Sequence, residues 1–450
     1  MTKIFISIIW FLVFLKLLIF WVWLWQLKEY HWARFKAHFE TQKIRKLLFS
    51  FHGIRYPKLT SKVIVILLSG ILFEFLVLFY FYSLLLFLIF IILAPVIVFL
   101  LVLIFQIPAL ILIKRTINKA KAKREQFKDL IVIGITGSYG KSSTKEFLAT
   151  ILSERFRVLK TPRNINAEIG IAKTILEELS SKHQVFIAEI GAYERGKIKE
   201  ICQMLQPKIG ILTGINEQHL STFGSQENIK KAKFELIESL PEDGIAILKN
   251  KLDLQSKDIR LEREYTFFKI NEVNFKVNLF GRHNIDNILL AVSCAQKLGM
   301  SLAQISEACQ KIKPEQGGMK FLRKPAYRQA GQEPIIIDAS YSANPDGVIA
   351  DLEYLKIYQG KRIIIMPCLI ELGRAAKEIH QRIGKKISEV CDLAIITTRD
   401  YFKEIKKEAP NAVLIEKSQK IVAKIKEFGG AEDVVFLEGR VPKELLNLLQ

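Results

Sequence analysis

Charge is almost absent from two long stretches near the start of the chain. Ile4 to Trp25 carries one charged side chain, Lys16, and Val63 to Ile113 carries only Glu74. A helix needs about 20 apolar residues to cross a hydrocarbon core, so the first stretch predicts one membrane span. The second, about twice that length, predicts two, giving spans over about 4–25, 63–82 and 84–113. The first apolar run is too long for a signal peptide, and "QLKEYHWARFK" follows it instead of a small-residue cleavage site, so it predicts a retained anchor. Beyond Lys114 the pattern changes. "LIVIGIT" (130–136), "VFIAEI" (185–190), "IGILTG" (209–214) and "GIAILK" (244–249) are short, rich in Ile and Val, and of the length of buried strands. Amphipathic stretches separate them, as in Lys145 to Phe156, where Phe147, Leu148, Ile151 and Leu152 share one face. A second series begins near 330, with "PIIIDAS", "KRIIIMPC", "DLAIITT", "NAVLIE" and "DVVFLEG". Such alternation predicts an α/β protein with mostly parallel sheets under covering helices. The expected organisation is a membrane region over 1–125, a central domain over 126–318 and a smaller Rossmann-like domain over 319–450, with "KPEQGGMK" (313–320) as hinge.

Composition sharpens the membrane assignment. Half of the residues are hydrophobic, with the excess in the first quarter of the chain. The segment from Lys28 to Lys62 holds nine Lys or Arg against Glu29 and Glu40, and "KRTINKAKAKRE" follows the third apolar run. By the positive-inside rule both face the cytoplasm, which predicts an outside N-terminus and a multi-pass plasma-membrane protein whose catalytic domains are cytoplasmic. Much of the net charge of +21 lies in these clusters, which suit an anionic inner leaflet. No run interleaves aromatics with Arg, so nucleic acid is not an expected partner. Cys202, Cys294, Cys309, Cys368 and Cys391 form no Cys-x-x-Cys pair and predict structural thiols in a reducing compartment.

The chemistry starts at "GITGSYGKSST" (134–144). A buried strand ends at Thr136, Gly137 and Gly140 allow a tight turn through Ser138, and a helix begins at "KSSTKEF". Backbone N–H groups at such a helix start hold polyphosphate, Lys141 neutralises it, and Ser142, followed by Ser143, offers a hydroxyl to magnesium. The glycine spacing departs from the common P-loop, which carries a Gly where this chain has Ile135.

T-G-S-x-G-K-S-S resembles the ATP loop of the Mur ligases, which add amino acids to the peptidoglycan stem peptide, and the resemblance extends over nearly all of 130–440. It implies a P-loop-type central ATPase domain using ATP and two magnesium ions. "TPRNINAEIG" (161–170) is similar to an Asn-x-Asn segment in which Asn164 and Asn166 would face phosphate and acyl substrate; taken alone it reads as an Asn-rich turn. In "FIAEIGAYERGKIKEI" Glu189 corresponds to a magnesium ligand, although a lone carboxylate there also caps helices. "INEQHLSTFGSQENIKKAKFEL" (215–236) gives His219 as a second metal ligand and Lys233 as the site of a carbamylated lysine. "LFGRHNIDNILLAVSCAQKLG" (279–299) implies His283 and Asn287 near adenine, and "IIIDASYSANPDG" (335–347) implies Asp338 and Tyr341 at ribose and base. The words "EIGA", "HLSTFGSQE" and "IELGRAAKEIHQRIG" (370–384) look like the branch that adds D-alanyl-D-alanine.

Three family positions differ: Gly318 stands for an arginine, Ala339 for an acid, and "EGR" (438–440) for Lys-Gly-Ser. The usual uridine-nucleotide domain is missing, with the predicted spans in its place. The resemblance therefore implies an ATP-dependent ligase that joins D-Ala-D-Ala or another amine to a muramoyl peptide through an acyl phosphate. The acceptor is nucleotide-linked or lipid-linked, and the domain replacement points to the second. Alternatives are a poly-γ-glutamate synthase, the catalytic half of a lipid-linked amidotransferase, and a membrane scaffold that binds ATP without ligating.

Overall fold

The computed structural model describes residues 2–39, 55–80, 83–162, 165–323, 334–341, 343–428, 430 and 432–449. Contacts divide the chain into two compact units, Met1–Arg115 and Thr116–Gln450.

The first unit is helical, with α1 (Thr2–Leu27), α2 (Trp32–Phe39), α3 (Ser61–Tyr80) and most of α4 (Leu84–Glu125). Three helices are long and apolar enough to cross a membrane, over Ile4–Leu27, Ser61–Tyr80 and Leu85–Glu125. The last differs from expectation. Instead of ending near 113 it continues through the basic stretch to Glu125, despite Pro95 and Pro108 inside it. At 1.5 Å per residue that makes it about 63 Å long, twice the ~30 Å of a hydrocarbon core. The reason is local: "KRTINKAKAKRE" is rich in Lys, Arg and Ala, good helix formers that leave the preceding helix no stop signal. Small residues set the packing of the apolar helices. A Cβ on Gly70 of α3 would lie 2.7 Å from Leu18 Cδ1 of α1. Trp10 donates its indole N–H to the Phe87 carbonyl (2.9 Å), and Trp25 stacks on Phe35 at 4.2 Å between ring centres. Leu12, Leu68, Phe79, Ile92 and Ile107 of these helices are exposed.

In the second unit, the central sheet has the order β2-β3-β1-β4-β5, with β1 (Ile131–Thr136), β2 (Val158–Lys160), β3 (Val185–Glu189), β4 (Ile209–Leu212) and β5 (Ile245–Leu248) all parallel. Helices α5 (Lys141–Leu152), α6 (Glu168–Glu178), α7 (Lys197–Leu205), α8 (Leu220–Phe223), α9 (Gln226–Glu238), α10 (His283–Lys297) and α11 (Leu302–Cys309) surround it. Its two faces bury separate apolar clusters: Phe147, Ile151 and Ile288 belong to one, Ile171, Phe186 and Ile201 to the other. Ala120 near the end of α4 joins the second cluster, and Arg124 donates to the Leu205 carbonyl at 2.7 Å.

One small sheet has no counterpart in the sequence reading. Strands β6 (Lys257–Leu261), β7 (Thr266–Ile270) and β8 (Val273–Val277) form an antiparallel meander. Its charged residues alternate with apolar ones, so only one face is buried and no continuous apolar run announces it. The C-terminal sheet has the order β13-β12-β11-β14-β10-β9. Its strands are β9 (Lys320–Arg323), β10 (Ile335–Ala339), β11 (Arg362–Met366), β12 (Leu393–Ile396), β13 (Ala412–Leu414) and β14 (Val434–Glu438), parallel except for β9. Helices α12 (Pro345–Leu355), α13 (Ala376–Val390), α14 (Phe402–Glu408), α15 (Ser418–Phe428) and α16 (Lys443–Leu449) complete this part.

Candidate active site

Open parallel sheets bind ligands beyond the carboxyl ends of their strands. In the central sheet those ends converge, with Ile135 beside Glu189 and Thr136 beside Leu212. The loop from β1 to α5 is built for close backbone approach. Gly137 has φ +149°, and a Cβ there would meet Thr213 Oγ1 at 2.0 Å; Gly140 has φ +78°, and its Cβ would meet Asn287 Oδ1 at 2.4 Å. No other residue type fits either place. Thr136 anchors the loop base by donating to the Ile190 carbonyl at 2.8 Å, and the Ser138 N–H donates to Gly214 O at 2.7 Å. Lys141 Nζ donates to the loop carbonyls of Gly137 (2.8 Å) and Ser138 (3.2 Å). Burial holds its pKa below the usual lysine range, against the opposing pull of Glu189.

Glu189, the last residue of β3, is buried and fully engaged. Its Oε2 accepts from Ser142 Oγ at 2.9 Å, and its Oε1 accepts from Asn166 Nδ2 at 3.0 Å. Lys145 Nζ lies 3.5 Å from Oε2, is itself wholly buried, and also donates to the Thr161 carbonyl at 2.9 Å. Lys145 was no candidate on sequence. It stands on the apolar face of α5, one turn before Ala149 and Leu148, and an inward lysine on such a face is the signal that finds it. Asn164 lies outside the described residues.

His219 starts α8 with φ +68°. Its Nδ1 lies 2.7 Å from Glu371 Oε2, and Tyr193 packs edge-on against the ring at 5.0 Å. Burial lowers its pKa, with Lys141 and Lys233 adding to that effect against Glu371. Lys233, on α9, is buried with Nζ 3.5 Å from the Ala192 carbonyl and 5.6 Å from the Phe223 ring centre. Burial, then the charge of Lys141, pushes its amine down to about 7. Lys141, Ser142, Asn166, Glu189, His219 and Lys233 thus share one electrostatic neighbourhood.

The remaining candidates separate from that group. Asn287 reaches the loop, with Oδ1 3.5 Å from Thr144 Oγ1, while Ser143 is partly exposed at the start of α5. His283, four residues earlier, faces the C-terminal part, with Nδ1 3.5 Å from Asp351 Oδ1. Asp338 accepts from the Ser340 N–H at 2.9 Å and lies 3.7 Å from Lys320 Nζ, and Tyr341 sits in the turn after β10.

Among the described residues, no three His, Cys, Asp or Glu side chains form a ready-made metal cage. The donors present still fit magnesium that carries phosphate and water. Ser142 and Glu189 supply hard oxygens side by side, as nucleotide-bound Mg2+ takes. A second cation near His219 requires Lys233 in an anionic form.

The fold defines an α/β protein in which a parallel-sheet domain with a glycine-rich strand-to-helix loop packs beside a Rossmann-like domain. Residues 135–260 match the Mur ligase middle domain and 327–441 the Mur ligase, glutamate ligase domain. Over these stretches, together more than half of its length, the chain belongs to the Mur ligase family. UDP-N-acetylmuramoyl-tripeptide--D-alanyl-D-alanine ligase of Synechocystis sp. is 31% identical over 275 residues, covering 57% of this chain and 59% of the relative. The enzyme of the same name from Bacillus subtilis is 27% identical over 281 residues, covering 57% and 60%. The chain thus spans less than two thirds of the length of these relatives. MurF from Acinetobacter baumannii shares the fold at a TM-score of 0.67 and 24% identity, covering 74% of this chain and 79% of that one. MurF ligase from Thermotoga maritima in complex with ADP does so at 0.67 and 23%, covering 75% and 83%.

Proposed function

We propose that the protein is a membrane-held, ATP-dependent amide ligase of the MurF type, which joins D-Ala-D-Ala or a similar amine to a muramoyl peptide. The observation that supports this reading is the bond of Ser142 to Glu189 together with the electrostatic coupling of Lys141 to Glu189, His219 and the buried amine of Lys233. Names of the relatives support the substrates; the apolar helices and the basic stretches beside them support a cytoplasmic catalytic unit at the plasma membrane. The apolar helices that precede the catalytic part favour a lipid-linked acceptor.

Amide formation from a carboxylate is uphill in water, so the carboxylate must first be activated. One of its oxygens attacks the γ-phosphorus of ATP, ADP leaves, and an acyl phosphate remains. The amine then attacks the carbonyl carbon, loses a proton, and phosphate departs. Little covalent work falls to the protein; its task is positioning and charge stabilisation. Loop N–H groups and Lys141 hold the phosphates, and Asn166 fixes Glu189. Lys233, its amine pushed down to about 7 by burial, offers a neutral form at cellular pH that adds CO2 with release of a proton to form an anionic carbamate. Magnesium held by Ser142 and Glu189, and by His219 with the Lys233 carbamate, would supply charge neutralisation for the transferring phosphoryl group.

The test uses the detergent-purified full chain with ATP, a panel of amino acids and dipeptides including D-Ala-D-Ala, and muramoyl tripeptide in lipid-linked or nucleotide-linked form. Phosphate release that needs both acceptor and amine, with the lipid-linked product found by mass spectrometry, is the expected result. Use of the soluble nucleotide-linked acceptor alone would remove the lipid-linked arm; no ligated product from any pair would remove the ligase reading.

A further inference from the structure

Two segments distant in sequence, "HLSTFG" (219–224) and "ELGR" (371–374), dock onto each other. Besides the bond from His219 to Glu371, the Ser221 N–H donates to the Glu371 carbonyl at 3.2 Å. Arg374 Nη2 donates to the Gly224 carbonyl at 3.3 Å. Both members of the central pair sit in the left-handed backbone region, His219 at φ +68° and Glu371 at φ +66°. Neither residue is of the type that adopts this region at no cost, so the surrounding contacts hold them there. Their side chains are largely buried, 21% and 10% exposed.

Neutral imidazole carries one N–H, and a carboxylate at hydrogen-bonding distance from Nδ1 selects the tautomer with the proton on Nδ1. That leaves Nε2 as the lone-pair atom. Tyr193 on the ring and Glu371 on its Nδ1 edge together fix the tilt. Carboxylates that orient a histidine in this way tune cation binding without touching the cation.

We propose that Glu371 is a positioning residue for the phosphoryl-transfer centre. It sets the tautomer and tilt of His219 from the C-terminal domain, so the centre in the middle domain is complete only when the two are docked. The inference rests on the ligase reading for its catalytic consequence, whereas its effect on cation binding does not depend on which amide is formed.

The test measures Mn2+ affinity by electron paramagnetic resonance on the full chain with a non-hydrolysable ATP analogue, beside kcat and KM for ATP. Glu371→Ala is expected to weaken Mn2+ about tenfold or more and to lower kcat by about 10–100-fold, as for other orienting partners, with KM for ATP within about twofold of wild type. Glu371→Gln, which keeps an acceptor oxygen, restores most of both. Arg374→Ala removes a neighbouring docking bond, leaves the carboxylate in place, and is expected to change Mn2+ affinity by less than about twofold. Unchanged Mn2+ affinity in Glu371→Ala overturns the proposal, as does an equal loss in Arg374→Ala or no recovery in Glu371→Gln. A wild type that ligates nothing, yet shows the Glu371-dependent Mn2+ affinity, sinks the ligase reading and leaves the positioning role standing.

Discussion

Glu189 and Glu438 occupy equivalent places, each the last residue of a parallel strand inside its sheet, and both are buried. Their surroundings differ completely. Around Glu189 stand a buried lysine, a hydroxyl and an amide that engage both oxygens. Glu438 instead faces another carboxyl group, Asp351 of α12, whose charge opposes its own. Burial, followed by the Asp351 charge, raises Glu438 well above the usual carboxylate range; burial likewise raises Asp351, against the pull of His283. Among the described residues, Glu438 Oε2, Asp351 Oδ1 and His283 Nδ1 have no hydrogen-bond partner. The two strand ends thus differ in the group that the fold sets against the carboxyl: a buried lysine at Glu189, a second acid at Glu438.

The largest expected effect comes from removing that cation. Lys145→Met leaves Glu189 buried without its ion-pair partner and should cost about 3–5 kcal/mol of stability, read as a lowered denaturation midpoint. An unchanged midpoint would erase the contrast between the two sites. Next in size is Lys233→Ala, expected to lower acceptor-dependent phosphate release by about 10²–10³-fold with the melting temperature held, since one preorganised charge is lost from the transition state. The same residue gives a pH signature. Its folded pKa, about 7, lies below the unfolded one, so the folded state binds fewer protons and stability rises from pH 7 toward the ordinary lysine range. Activity should fall about tenfold per unit as pH drops below 7 and the amine protonates. A flat rate profile from pH 8 to pH 6, or a rate indifferent to removal of bicarbonate, would count against a neutral, carbamylated Lys233.

The smallest effect belongs to Glu438→Gln. Because the pair's folded pKa values are raised, its stabilising contribution is present at low pH and lost as pH rises above the usual carboxylate range. The amide should therefore raise the melting temperature at pH 7 by about 2–4 °C and lose that advantage near pH 4. An equal gain at both pH values would point to packing instead of a proton.

Much of the strand framework was legible because buried parallel strands are continuous Ile and Val runs, as in "LIVIGIT" and "VFIAEI". The half-buried meander from Lys257 to Val277 was not, since its pattern alternates with charge. At the candidate site, Lys141 and Ser142 stood out in the glycine loop, and Glu189, His219 and Lys233 through the resemblance to the Mur ligases. Lys145 did not, because its importance depends on which way α5 faces, and Asp351 did not, because its partner Glu438 is far away in the chain.

The sequence by itself determined the apolar helices, most of the buried parallel strands, and the glycines of the strand-to-helix loop, all of which follow from local periodicity and backbone freedom. Only the tertiary structure decided that Lys145 neutralises Glu189, that Glu371 holds His219, and that Glu438 meets another acid. Each of these is a contact across a long sequence separation. What a buried charge costs or contributes depends on the group folded against it, and no local pattern carries that information.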